Sequence, residues 1–394
     1  MRVEVLEQLA PWLTRRLVLM GALAYFLASL VGFVVAKLFF PDAVVIFGSF
    51  WESGRAASAG LDPYLNYPLV FTPKFPSFVH EVNMNPPAAL PLFQVFALLP
   101  VTFAAALWVV IFGALHLACV FALDRRLDLS RVQLVWLITV FGLGGIGMGQ
   151  IYTLLLALGL GIWLSLQSDR LTLAGVLLGI LVAIKPNFAL CGMVLFASGH
   201  FRPVMIAALV AIALSALPVL LYGPQVYDQW LAAIARDNHG TVFAHEVSLS
   251  GFLRRAGLGM IALPVALSAC LAGLAYAWRA KPSSLDALAF GIWLSIICAP
   301  LAWGIYLVVI TPALVTRRWD WTMILCVALL SLSIDLSIWA IRHPAFVTLV
   351  GALYMAPIML VGWAIVRRIG MASSAGGSPS GPTLQPAYKK SGSA

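Results

Sequence analysis

Charge is scarce in this sequence. Of 394 residues only 10% are Asp, Glu, Lys or Arg, against 62% hydrophobic, and the mean hydropathy is +0.98. So little charge cannot cover a water-soluble fold, which excludes the soluble classes. Apolar runs of about 20 residues recur along the chain, the length a helix needs to cross a bilayer. They do not alternate over about ten residues, which excludes a membrane β-barrel. Also lacking are the loops that hold soluble nucleotides: no G-x-x-x-x-G-K-[ST], and no G-x-G-x-x-G leading from a strand. If the chain is an enzyme, its activated substrate is expected to be lipid-linked rather than a cytosolic nucleotide. The five cysteines (119, 191, 270, 298 and 326) all lie in apolar segments, without metal-ligand spacing, and read as small apolar residues. No internal repeat and no separate soluble domain is evident.

What charge there is has a pattern. The net +9 comes from basic residues in short loops between apolar runs, the mark of cytoplasmic loops rather than of nucleic-acid binding. Spans are expected at 17–40, 102–124, 131–148, 150–167, 171–184, 187–200, 203–222, 260–278, 284–301, 302–316, 320–341 and 345–366. Residues 86–99 cover only about 20 Å as a helix and read as a half-span or a short span. The first apolar run is too long for a cleaved signal and reads as a retained span. With the N-terminus inside, Arg125, Arg126, Arg131, Arg170, Arg202, Arg279, Lys281, Arg317, Arg318, Arg367 and Arg368 all fall inside as well. The expectation is an all-α polytopic membrane protein of 11–13 spans with both termini cytoplasmic. It would be one domain over 1–368, with a disordered, Gly/Ser/Pro-rich tail over 369–394.

In this topology the polar interruptions gather on the outer face. They are the long first loop 41–87, Gly149-Gln150, Lys185-Pro186-Asn187, the loop 223–259, and Ala299 to Tyr306. The first loop should form a helix over Val44–Ala59, and the second two short helices over Tyr227–Arg236 and Ser248–Leu258. Asp42, at the outer end of the first span, reads as a helix cap or as a general base at the mouth of a cavity, with Glu52 the reserve. Asp62, in Gly60-Leu61-Asp62-Pro63-Tyr64, reads first as a turn residue. Lys185 stands inside an apolar run and before a proline that breaks the helix, which makes an anion site. Arg254 and Arg255 are further candidates for a phosphate. His80, Glu81, His239, His245 and Glu246 match no standard zinc spacing. No structural metal is expected, only a loosely bound divalent cation near a phosphate. Asp335 reads as a buried hydrogen-bonded residue or a proton relay.

Several stretches together resemble glycosyltransferase family 87. They are Ser49-Phe50-Trp51-Glu52-Ser53-Gly54-Arg55 followed by Gly60-Leu61-Asp62-Pro63-Tyr64; Asn85-Pro86-Pro87-Ala88-Ala89-Leu90-Pro91; Gly149-Gln150; Lys185-Pro186-Asn187; Ser248 to Arg255; and Pro300 to Leu307. The sequence departs from the family pattern in two places. Ile46 and Phe47 stand where an aspartate precedes the Phe-Trp pair, with Asp42 about a turn earlier, and Gly304 and Ile305 follow Trp303. The resemblance implies a GT-C fold and a bacterial inner-membrane enzyme working on the periplasmic face. Its donor would be a polyprenyl-phosphate sugar, of mannose or another hexose or pentose, and its acceptor a lipid or glycan. Transfer would be inverting, with one carboxylate as base. Lys185, Arg254 and Arg255 would hold the donor phosphate. Asp62, Tyr64, Asn85, Gln150, Asn187, His245, Trp303 and Tyr306 would line the sugar and acceptor pocket. Membrane lipids are the other partners, and nucleic acid is not one. The rival readings are a transporter or flippase of lipid-linked sugars and a non-catalytic member of the family. A transporter calls for polar paths through both faces and repeated halves, which are not evident.

Overall fold

The computed structural model describes residues 15–40, 45–65, 83–140, 143–236, 243–316, 319, 321–332 and 334–374. They are almost entirely helical, and among them the only β pairing is an isolated antiparallel bridge between Glu246 and Trp303. In chain order the helices are α1 (Arg15–Phe39), α2 (Val45–Ser58), α3 (Leu90–Ala97, entered through a 3₁₀ turn Pro87–Ala89), α4 (Val101–Leu127), α5 (Arg131–Thr139), α6 (Leu143–Met148), α7 (Tyr152–Gln167), α8 (Leu171–Ile184) and α9 (Ala189–Ala197). There follow α10 (Phe201–Tyr222), α11 (Gln225–Arg236), α12 (Leu249–Arg255), α13 (Gly259–Ala280), α14 (Ser284–Ile297), a 3₁₀ segment Gly304–Ile310 leading into α15 (Thr311–Val315), α16 (Trp321–Leu330), α17 (Ile334–Arg342) and α18 (Val347–Ser374).

Six helical stretches among the described residues are long and apolar enough to cross a bilayer: α1, α4, α5 with α6, α10, α13 and the stretch Pro344–Ser373. Other apolar helices are shorter. At about 1.5 Å per residue, the 14 residues of α8 rise only about 21 Å, against a hydrocarbon core of about 30 Å. Helices that stop short leave backbone ends at membrane depth, and those ends must be covered by protein or line a water-filled cavity. Most of the expected spans coincide with described helices, but 302–316 is a 3₁₀ segment leading into the short α15, and there are three further corrections. The run 320–341 is not one helix, because it breaks between Leu330 and Ile334. The helix expected over 284–301 ends at Ile297, and 298–303 is an irregular, turning segment. The helix through residue 368 continues to Ser374, so the first residues of the expected tail are helical.

The helices share a polarity. Basic residues collect at one end of the bundle, where Arg15 pairs with Asp124 and Asp128 and Arg368 with Asp286. The turns there are capped by local chemistry. Ser130 and Gln133 form a capping box on α5, Ser283 accepts from the N–H of Asp286, and Lys281 Nζ donates to the Ala197 carbonyl at 2.9 Å. From that end α8 and α14 run toward the other, and α7 runs back.

Close packing holds the frame. Gly175 and Gly179, one turn apart on α8, meet α10: a β-carbon at Gly179 would lie 2.6 Å from the Ala207 carbonyl oxygen. Small residues at this spacing let two apolar helices approach backbone to backbone. On the other side α2 packs against α3, and a β-carbon at Gly54 would come within 2.5 Å of the Phe93 carbonyl. Both rest on Trp108 of α4, fully buried among Phe47, Phe50, Phe93, Phe96 and Phe112, with the Phe112 ring stacked at 4.1 Å. That aromatic cluster fixes α2, the helix that follows the first span, to the body of the bundle.

Candidate functional site

At the end opposite the basic turns lies a cavity of about 1000 Å³. Its walls come from chain segments far apart in sequence. α2 contributes Ile46, Ser49 and Phe50, and the following loop contributes Met84, Asn85 and Pro86. The α6–α7 junction brings Gln150 and Tyr152, and the break between α8 and α9 brings Lys185, Pro186 and Asn187. Loop 243–255 adds Phe243, His245 and Arg254, and the segment after α14 adds Pro300, Leu301 and Trp303 to Tyr306. Trp230 of α11, Leu329 to Leu332 and Tyr354 complete it. The separate polar interruptions of the sequence thus meet in one space.

Local chemistry explains how each segment turns inward. Gly149 has φ +82°, a conformation other residues avoid, and a β-carbon there would lie 2.7 Å from Cβ of Phe47. Glycine therefore lets the α6–α7 junction close against α2 and deliver Gln150. At the end of α8 the Lys185 N–H still bonds the Leu181 carbonyl at 2.8 Å, but Pro186 has no N–H to continue the ladder. The chain swings to φ −141°, ψ 90° at Lys185, and its ammonium lies 5.4 Å from the centre of the Tyr306 ring. Tyr306 in turn meets Tyr152 edge-on at 5.6 Å.

Another part of the wall is held by a buried ion pair. Glu246 and Arg255 side chains are both fully buried, with Nη1 of Arg255 3.3 Å from Oε2 of Glu246. Oε1 of Glu246 accepts from the N–H of Ser248 at 3.0 Å and of Ala302 at 2.9 Å. Arg255 also donates to the carbonyls of Phe243 and Glu246. Burial pushes the Glu246 carboxyl above its usual range and the Arg255 guanidinium below its own, against the pull of each on the other. The pair ties loop 243–255 to the chain at 302. Gly251 packs directly against the Glu246 carboxylate, with no room for a β-carbon. So held, His245 stacks on Trp303 at 4.5 Å, with Nδ1 2.8 Å from the Ser337 hydroxyl.

Of the residues singled out from sequence, the structure brings together Asn85, Gln150, Lys185, Asn187, His245, Arg254, Trp303 and Tyr306. Four others lie outside the lining. Arg255 is committed to Glu246. Glu52 is buried and accepts from Arg55 at 2.8 Å. Asp62 accepts from the N–H of Tyr64 at 2.8 Å, closing a turn. Tyr64 is fully buried behind the lining, its hydroxyl donating to the Asn85 carbonyl at 3.0 Å. Asp42, His80, Glu81 and His239 lie outside the described residues, as does the side chain of Asp335. Sequence reasoning did not single out Ser49, Trp230, Phe243, Ser331 or Tyr354. For Ser331 the sequence offers only two serines, Ser331 and Ser333, in an apolar run, too faint a signal to mark the break.

The cavity's electrostatics are one-sided. Lys185, Arg254 and His245 line it, and no carboxylate does among the described residues; nor do Lys185 and Arg254 have a carboxylate partner there. Two buried amide atoms, Oδ1 of Asn85 and Nδ2 of Asn187, have no hydrogen-bond partner. The face formed by Ile46, Val140, Met148, Leu329, Leu330 and Leu332 is apolar. Among the described residues no three His, Cys, Asp or Glu gather as metal ligands. The space can take an anion, hydroxyl groups and a hydrocarbon together.

Residues 83–302, more than half of the chain, match the family model of glycosyltransferase family 87. No curated protein and no solved structure matches the chain.

Proposed function

Because the chain belongs to glycosyltransferase family 87, and is thus a multi-pass membrane glycosyltransferase, we propose that its cavity binds a polyprenyl-phosphate sugar and transfers the sugar to a lipid or glycan acceptor. The observation that carries this reading is the cavity lining: two cations, no described carboxylate, unpartnered amides and an apolar face in one space of about 1000 Å³. Lys185 and Arg254 suit the donor phosphate, and the apolar face suits the start of the isoprenoid chain. Gln150, Asn187, Trp303 and Tyr306 suit the sugar, by hydrogen bonds and ring contact. The basic turns at the opposite end support a cytoplasmic position for that end, with the cavity on the outer, periplasmic face of a bacterial inner membrane.

In the proposed reaction the acceptor hydroxyl gives its proton to a carboxylate. Its oxygen attacks the anomeric carbon from the side opposite the phosphate, so that the centre inverts. The carbon–oxygen bond to the phosphate breaks, and the polyprenyl phosphate leaves with the bonding pair, its charge met by Lys185 and Arg254. Asp42 is our candidate base. It is three residues from Val45, a chain reach of at most about 11 Å, while Ile46 already lines the cavity. Any divalent cation that takes part would ride on the donor phosphate.

Purified protein in lipid nanodiscs, given labelled polyprenyl-phosphate sugars and a membrane lipid extract, should move label to an acceptor. Asp42→Asn should abolish transfer and leave donor binding intact. Label that crosses a vesicle membrane without changing its bond would overturn the reading in favour of a flippase. Near-normal turnover in Asp42→Asn would remove Asp42 as the base.

A further inference from the structure

Asn85 is held in a way that fixes which end of its amide is left without a partner. Its backbone N–H donates to Oδ1 of Asn83 at 2.9 Å. A backbone nitrogen only donates, so the Asn83 atom it meets is the oxygen. That same oxygen lies 2.9 Å from one side-chain atom of Asn85, which is therefore the amide nitrogen. The remaining amide atom of Asn85 is the carbonyl oxygen. A main-chain donor thus settles both orientations. The main chain of Asn85 is held in turn by the hydroxyl of Tyr64, and that of Met84 by the indole N–H of Trp230 at 3.1 Å.

Asn85 is only 3% exposed, and Oδ1 has no partner in the protein. Buried polar atoms without partners are rare, and one in a cavity wall marks a place where a ligand supplies the partner. The 3₁₀ turn Pro87–Ala89 that follows packs against α8, the helix that ends at Lys185. Asn85 and Lys185, the group assigned to the donor phosphate, line the same cavity.

The geometry points to Oδ1 of Asn85 as the acceptor for one hydroxyl of the sugar attached to that phosphate, with Asn83 as the positioning residue that makes the site selective for a hydroxyl. This rests on the donor reading above. An amide free to rotate could offer either its oxygen or its NH₂. With Asn83 in place only the oxygen is offered, so a sugar lacking that hydroxyl leaves it unpaired.

The test uses the full chain in nanodiscs. The probes are the labelled polyprenyl-phosphate hexose that wild type binds most tightly and its 2-, 3-, 4- and 6-monodeoxy analogues, and equilibrium binding is measured. One analogue should bind wild type about ten- to a hundred-fold more weakly than the parent, the effect of one unpaired buried acceptor. In Asn85→Ala that ratio should fall to about one. Asn83→Leu should narrow it, while Asn83→Asp, which keeps the anchoring oxygen, should preserve it. Each ratio is taken within one variant, so a misfolded fraction cancels. An unchanged ratio in Asn85→Ala, no discrimination by wild type, or no hexose binding would each overturn the inference. Turnover is scored separately. Discriminating binding without transfer would remove the transferase reading and leave this one standing. Transfer without discrimination would do the reverse.

Discussion

Lys185 is the most exposed to test of the single residues, because nothing among the described side chains neutralises it. Charge-assisted hydrogen bonds to a phosphate are worth about 1.5–3 kcal/mol, so Lys185→Ala should raise the donor KM about ten- to a hundred-fold. The acceptor KM should stay near wild type, and initial rates against each substrate in turn would show the split. Glu246 makes the opposite kind of prediction. Its charge is spent on Arg255 inside the protein, and breaking a buried pair from one side costs about 3–5 kcal/mol. Glu246→Gln should therefore lower the thermal unfolding midpoint markedly. Replacing both partners by methionine should recover most of the loss, since two well-packed apolar residues often do as well as a buried pair. The same reasoning explains why Arg255 does not face the cavity although its neighbour Arg254 does.

At the scale of elements, the site depends on helices that stop early. Pro186 ends α8 and leaves Lys185 facing the cavity, while Gly175 and Gly179 set how deep α8 sits against α10. Gly179→Leu drives a side chain into the Ala207 carbonyl and must push the two helices apart. The expected result is a loss of about 1–3 kcal/mol of stability together with weaker donor binding, because Lys185 moves with its helix. Thermal unfolding and donor titration on the same sample would check both. A loss of stability with unchanged donor affinity would separate the α8–α10 contact from the site. The α2–α3 pair is secured differently, by aromatic packing on Trp108, so the cavity face of α2 should be indifferent to changes on α8.

For the whole molecule the first question is orientation. A cysteine placed at Arg202 should be labelled by a membrane-impermeant maleimide only from the cytoplasmic side, and one at Ala59 only from the outside. Labelling of both from one side would overturn the proposed topology. Much of the architecture was legible in the sequence, because span length, proline breaks and basic turns are local signals. The gathering of Gln150, Lys185, Asn187 and Trp303 followed from them. The break after Leu330 was not legible: two serines around Leu332 barely lower the hydropathy of the run. Nor was the Glu246–Arg255 pair, which exists only because loop 243–255 folds back on residue 302. The role of Asn83 depends on a turn whose hydrogen bonds no periodicity reveals. The spread of the cavity walls along the chain also has a consequence in time. Ile46 and Tyr354 both line it, and some 300 residues separate them; at about 5–20 residues per second, synthesis of the last wall trails the first by roughly 15–60 seconds. In the later part of that interval, once Lys185 has been made, the cavity still lacks the wall that α18 supplies with Tyr354.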